Sequence, residues 1–276
     1  MLFNPAHTVL NQRANARKSS VETTNLIGHW DPNDTNSYSG SGTTYNNLIS
    51  AKEDLKIYGA TFVNTSPKHF TFDGTNDKIA DIDTSDPYND NFEIDCSFPF
   101  AVSMWLKFDN FSNSNTLWTL GSSSPAVAYM DNVQKDRIEF LFGSYSHNMK
   151  KKLSAGIWYM VTIRARNPEP FSETTSIDFF LDGVPMEVGS LDTYSGNPMN
   201  LPMVENYLTG GNLSTLDFDI GYNETDSAYI NSATKLGLVL VHQSTVAGNC
   251  LPNSQVWTNY LATKGGVGSG GPWSYK

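Results

Sequence analysis

The stretch FAVSMWLKF, residues 100 to 108, limits what this chain can fold into more than any other segment. Phe100, Val102, Met104, Leu106 and Phe108 alternate with Ala101, Ser103, Trp105 and Lys107, the period at which a strand sends successive side chains to opposite faces. One face is expected to enter a core. IWYMVTIRAR repeats the signal, with Ile157, Tyr159, Val161 and Ile163 alternating against Trp158, Met160, Thr162 and Arg164. SIDFFLDG follows as its hairpin partner. Asp182-Gly183 is a favoured tight-turn dipeptide, so SIDFFLD and VPMEVG are expected to pair across it, with Pro185 tolerated only near a strand end or a sheet edge. RIEFLF, DFDIGY and KLGLVLVH supply further strands. From Leu26 onward such short apolar runs recur between Gly, Pro, Asn and Asp clusters, the pattern of an antiparallel sandwich.

Only NSQVWTNYLATKGG reads as a helix. Asn253 or Ser254 is placed to cap it, Val256, Trp257, Tyr260 and Leu261 form one stripe, and Gly265 stops it. The expected organisation is an extended N-terminal arm over 1–24, a β-sandwich over 25–265 and a Gly-rich tail over 266–276 that carries Trp273 and Tyr275. Arg13, Arg17 and Lys18 make the arm mildly basic on an acidic chain, so it is read either as a frayed terminus or as a segment that docks on a neighbouring subunit.

At 276 residues the chain is long enough for a single sandwich with a substantial core. Its formal charge of -10 argues against nucleic acid as the main ligand, because phosphates need clustered Lys and Arg. The opening MLFNPAHTVLNQRANARKSS lacks the apolar centre of a signal peptide, and no later run is long enough to span a membrane, so a soluble protein without membrane insertion is expected. Cys96 and Cys250 lie far apart and lack metal-ligand spacing; packed thiols are favoured over a disulfide. Without a secretory route, the Asn-x-Ser/Thr matches at Asn33, Asn64, Asn110, Asn212 and Asn223 carry no weight.

Several segments, taken in order, resemble the concanavalin A-like, laminin G-like domains of virion proteins, including those of bacteriophages. LIGHWDPNDTNSYSGSGTTYNNLIS is similar to that family's first strand and Asp-rich loop, HFTFDGTNDKI to its Phe-Asp-Gly strand and turn, and FAVSMWLKF to its central Trp-bearing strand. IWYMVTIRAR with SIDFFLDGVPME resembles its paired strands around a Leu-Asp-Gly turn, and DFDIGY, KLGLVLVH and QVWTNYLATKGGVG its closing strands and helix. The resemblance spans roughly residues 25 to 268 and implies an all-β jelly-roll sandwich with one short C-terminal helix. The segment IADIDTSDPYNDNFEIDCSFP departs from it, being longer and more acidic.

Some glycoside hydrolases of this sandwich class carry Glu-x-Asp-x-x-Glu on one strand, which places two carboxylates toward a cleft. FEIDCSF supplies Glu93 and Asp95, but Phe98 stands at the third position and the segment reads as an inserted loop, so a retaining mechanism lacks its second acid. His7, His29, His69, His147 and His242 are scattered singly; His69 and His242 fall within strand patterns and read as packed or hydrogen-bonded residues. Asp73 and Asp77 in FDGTND match the acidic turn on which relatives bind calcium, although a plain turn closed by side-chain-to-backbone bonds also accounts for them and is favoured. Tyr38, Tyr45, Trp118, Tyr145, Trp257 and Trp273 are candidates for stacking on sugars.

The expectation is therefore a non-enzymatic virion surface protein, assembled in the host cytoplasm, that decorates a capsid or forms part of an external appendage. Its expected partners are capsid or tail subunits in a symmetric or homo-oligomeric assembly, with no required cofactor, calcium being the one candidate. A glycan-binding module for host attachment is the alternative, and a glycanase-like enzyme a more distant one.

Overall fold

The computed structural model describes residues 20–50, 52–80, 92–96, 98–111, 115–121, 126–130, 136–142, 145–166, 176–190, 216–223, 228–245 and 250–265. These form two antiparallel sheets stacked face to face, with one helix: an all-β sandwich, as the strand periodicity predicts. Most of the N-terminal arm, the acidic stretch 81–91 and the Gly-rich tail with Trp273 lie outside the described residues. Among the described residues no helix is long and apolar enough to cross a membrane.

The first sheet, in spatial order, contains β15 (Val184–Met186), β14 (Ser176–Leu181), β13 (Trp158–Arg166), β8 (Phe100–Phe108), β20 (Thr234–Gln243), β5 (His69–Thr71) and β4 (Thr61–Val63), with β1 (Leu26–Trp30) also pairing with β20. The second contains β16 (Val188–Ser190), β12 (Tyr145–Met149), β11 (Ile138–Phe142), β10 (Ala126–Met130), β9 (Asn115–Leu120), β17 (Leu216–Ile220), β6 (Lys78–Ala80), β3 (Leu55–Tyr58) and β2 (Thr44–Tyr45), with β7 (Glu93–Ile94) joined to β17. A two-stranded ribbon, β18 (Tyr222–Asn223) with β19 (Ala228–Tyr229), completes the set.

The five alternate apolar residues of β8 face the second sheet and join Tyr159, Val161 and Ile163 of β13 in the main core. Aromatic rings fill that core. Trp30 meets Phe92 edge-on at 4.7 Å between centroids, and Trp118 lies 5.3 Å from Phe140. The other face of β8 is buried as well, which its alternation alone does not predict. The reason is the helix α1 (Asn253–Thr263), laid across the outside of the first sheet. Trp105 stacks on Tyr260 at 6.0 Å and its indole N–H donates to Thr263 Oγ1 at 2.8 Å. With Leu26, Trp158, Met160, Leu238 and Leu240 they form a second apolar layer.

The helix differs from its expected form at three points. Pro252 occupies the N-cap position and no side chain caps the first turn, because Asn253 turns its Oδ1 to the Arg164 guanidinium instead. Trp257 is 42% exposed rather than part of the buried stripe, whose inward members are Val256, Asn259, Tyr260, Ala262 and Thr263. Lys264, already extended, ends the helix one residue before Gly265.

The segment before β1 is strapped to the same outer layer. Glu22 N–H donates to Asn259 Oδ1 at 2.6 Å, and the Glu22 carbonyl accepts from Nε2 of the buried His242 at 3.2 Å. His69, the other strand histidine, contacts the Pro67 carbonyl through Nδ1 and meets Trp158 edge-on. Cys96 and Cys250 are both free and buried, and burial pushes each thiol up to about 12, which keeps it protonated at neutral pH.

Asp182 and Gly183 form the expected turn with positive φ at both positions, 55° and 78°, and Leu181, Phe180 and Phe179 pair with Val184, Pro185 and Met186. Pro185 sits on the edge strand, where its missing N–H removes no ladder bond. A Cβ on Gly183 would fall 2.8 Å from Trp257 Cε3 and 3.1 Å from the Trp257 Cα, besides straining the left-handed backbone. Gly183→Ala is expected to lower unfolding stability by about 1–3 kcal/mol, read from urea titration. An unchanged midpoint would mean that the turn is not held as described.

Candidate functional site

With the outside of the first sheet taken up by the helix, the outward face of the second sheet is where strand alternation can present side chains to a ligand. On β3, Leu55 and Ile57 point inward, so Lys56 and Tyr58 point outward. The register sets Tyr58 opposite Lys78 of β6, whose neighbour Ile79 fills the core. The Lys78 ammonium lies 5.3 Å from the centre of the Tyr58 ring, and that of Lys56 lies 5.0 Å from it.

The ribbon β18–β19 extends this row. After β17 the chain turns at Gly221, φ 82°, where a Cβ would meet the Ile230 side chain at 2.8 Å. Thr119 Oγ1 donates to the Tyr222 carbonyl at 2.9 Å, and the Ile230 N–H to the Gly221 carbonyl at 2.7 Å, fixing the ribbon beside β9. Tyr222 and Tyr229 are directly opposed, with ring centroids 4.7 Å apart, and the Lys78 ammonium lies 4.5 Å from the Tyr222 ring. Lys56, Tyr58, Lys78, Tyr222 and Tyr229 thus form one continuous, partly exposed row of alternating cations and rings. Ammonium groups at these distances are attracted by the ring faces, about 0.5–1 kcal/mol each at a wet surface.

The turn at 73–77 lies next to the row. Asp73 Oδ1 accepts from the N–H groups of Thr75 and Asn76 at 2.7 and 3.2 Å, and Asp77 Oδ2 accepts from the Asp73 N–H at 2.7 Å. Those bonds hold the Asp73 carboxyl below its ordinary value, whereas burial raises that of Asp77, against the bond from the Asp73 N–H. Both residues are thus engaged in closing the turn, and among the described residues no group of three or more His, Cys, Asp and Glu side chains is placed to hold a metal ion.

Glu93 is not in a loop. It pairs with Asp217 in the β7–β17 ladder, which puts two carboxylates on one face, and Asp219 follows on the same side of β17. Directly opposed residues of a ladder have Cβ atoms roughly 4.5–5.5 Å apart. Asp95, by contrast, is tied at its backbone to Gln243, which accepts from the Asp95 N–H and donates to the Asp95 carbonyl at 2.6 Å.

Three of the aromatics that are candidates for stacking are core residues. Tyr38 and Tyr45 pack against Phe70, each at 5.2 Å, and Trp118 is 2% exposed among Phe140 and Phe218. Their rings fill the space between the sheets, where burial of large apolar area is most favourable. Of the others, Trp257 is exposed on the helix side, away from the row, and the side chains of Tyr145 and Trp273 lie outside the description. Tyr58, Tyr222 and Tyr229 were not among the sequence candidates. The alternation Leu55-Lys56-Ile57-Tyr58 carried the signal for the first of them.

No protein-family model matches the chain, and neither does any curated protein. Solved structures do. Trypanosoma rangeli sialidase in complex with sialic acid matches at TM-score 0.58 and 12% identity over 93% of this chain and 38% of that one. The same sialidase as a covalent intermediate with 2,3-difluorosialic acid matches at 0.57 and 15%, over 88% of this chain and 33% of that one. The chain therefore spans little more than a third of the sialidase's length. Domain 4 of AbnA, a GH43 extracellular arabinanase from Geobacillus stearothermophilus, in complex with arabinotriose, matches at 0.53 and 15% over 87% of this chain and all of that one. At such identities the likeness shows the fold. The expectation of a virion surface protein acting by packing against capsid or tail subunits is corrected: the similar solved structures named here come from glycosidases, one of them a discrete domain in complex with a sugar.

Proposed function

We propose that this chain is a glycan-binding domain, a sandwich of the concanavalin A-like, laminin G-like kind, that holds its ligand on the outward face of the second sheet without catalysing a reaction. The observation that carries the reading is the row from Lys56 to Tyr229, in which three tyrosine rings lie on the sheet face that the helix leaves uncovered. Sugar rings present C–H faces that stack on aromatic rings, and tyrosine hydroxyls and lysine ammonium groups add directional hydrogen bonds. The complex of a similar arabinanase domain with arabinotriose supports the same reading.

A glycan array followed by calorimetry on the retained oligosaccharides tests it. Retention is expected, and Tyr58→Ala or Tyr222→Ala is expected to weaken binding about tenfold or more, or about 1.4 kcal/mol, while leaving the unfolding midpoint nearly unchanged. An array without a single retained glycan, or variants that bind like the parent, would refute the proposal. Because Glu93 faces Asp217, hydrolysis is tested beside it: no new reducing ends are expected from β-glucans or arabinan, and release that disappears in Glu93→Gln would show that the domain is an enzyme.

A further inference from the structure

We infer that the row selects glycans bearing an anionic group, carboxylate or sulfate; this inference rests on the glycan-binding reading above. Tyr58 alone would serve a neutral sugar. What the structure adds is two ammonium groups against that ring, those of Lys56 and Lys78, the second shared with Tyr222. In a chain with 28 Asp and Glu against 18 Lys and Arg, both lysines lean on rings, and no ion pair is described for either among the described residues. Lys150, Lys152 and Lys235, by contrast, each meet a carboxylate.

The contact with the rings matters for affinity. A lysine that must be immobilised on binding costs about 0.5–1.5 kcal/mol in lost rotamer freedom, and a side chain already leaning on a ring has lost part of it beforehand. A ring face also leaves the N–H donors of the ammonium that point away from it able to bond an incoming anion. The rest of the face has the opposite charge. Asp219 and Asp217 continue along β17, with Glu93 opposite Asp217, so negative charge is favourable at the lysine end and unfavourable beyond it. The best ligand then carries its anionic sugar over Lys56 and Lys78, with neutral sugars toward β17.

Matched pairs on one array test this: lactose with 3′-sialyllactose for a carboxylate, and N-acetyllactosamine with its 6-sulfate for a sulfate. At low salt at least one anionic member is expected to bind about tenfold more tightly than its neutral partner, and comparison of the two pairs identifies the anion. The preference should shrink to about twofold in 0.5 M NaCl, where charges are screened within a few ångströms. It should be lost in the double variant Lys56→Gln/Lys78→Gln and retained in Lys56→Arg/Lys78→Arg. Equal binding of neutral and anionic partners, or a preference that survives the Gln variants, overturns the inference and leaves glycan binding standing. Retention of no glycan removes both.

Discussion

Asp178→Ala should cost about 3–5 kcal/mol of unfolding stability, the largest effect expected of any single substitution discussed for this fold. Arg164 projects from β13 into the layer under the helix, where its side chain is only 3% exposed. Its guanidinium donates to Asp178 Oδ2 through Nε at 2.9 Å and Nη2 at 2.6 Å, to Asn253 Oδ1 at 3.0 Å and to the Leu251 carbonyl, and it lies 4.8 Å from the Phe180 ring. Removing the carboxylate leaves that cation buried with only neutral acceptors, and the start of the helix is tied to the same group. Arg166 also bonds Asp178, at 2.9 Å, but its side chain is 38% exposed and water replaces the partner, so Arg166→Ala should cost under about 1 kcal/mol. Urea titration of the two variants by tryptophan fluorescence checks both expectations. Equal losses would mean that burial of Arg164 is not what makes Asp178 necessary.

Acidification should remove about 3 kcal/mol through one residue, His242. Its Nε2–H donates to the Glu22 carbonyl while Nδ1 is buried without a partner among the described residues, so protonation would place a charged N–H where none of them accepts it. Burial accordingly lowers its pKa from 6.5 to about 4, against the favourable effect of the Glu22 carbonyl and carboxylate. The unfolded chain takes up the proton below pH 6.5 and the folded one only near pH 4. Stability is therefore complete above about pH 6.5, falls as pH drops across that window at about 1.4 kcal/mol per pH unit, and levels off below it. Burial lowers His29, His69 and His147 in the same direction, so the part due to His242 is the part that disappears in His242→Gln. A variant with the parent's slope between pH 6.5 and 4 would disprove the assignment.

Strand periodicity made the sandwich legible because β8 and β13 keep their inward residues apolar: Phe100 to Phe108 and Tyr159 to Ile163 read correctly from spacing alone. The Asp182-Gly183 turn was equally plain, since few dipeptides accept two positive φ values. Burial of the outer face of β8 was not legible, because it depends on where a helix more than a hundred residues later comes to rest. Which aromatics are exposed was not legible for the same reason. Tyr38 and Tyr45 sit in a polar, turn-rich sequence yet fold inward onto Phe70, whereas Tyr58 sits in a strand and faces outward. The row itself joins residues 56, 58, 78, 222 and 229, and only strand register brings such distant positions together.

The N-terminal strap and the helix share the outer layer of the first sheet, so the described body is entered at residue 20 and left at residue 265 from one side. The tyrosine row faces the other way. A fusion partner or solid support joined directly at residue 20 or residue 265 therefore sits behind the described body and leaves the row facing outward, like a palm turned away from the wrist. Immobilisation at either of those two positions should preserve ligand access, whereas random coupling through lysines would modify Lys56 and Lys78 and block the face that the experiment is meant to read.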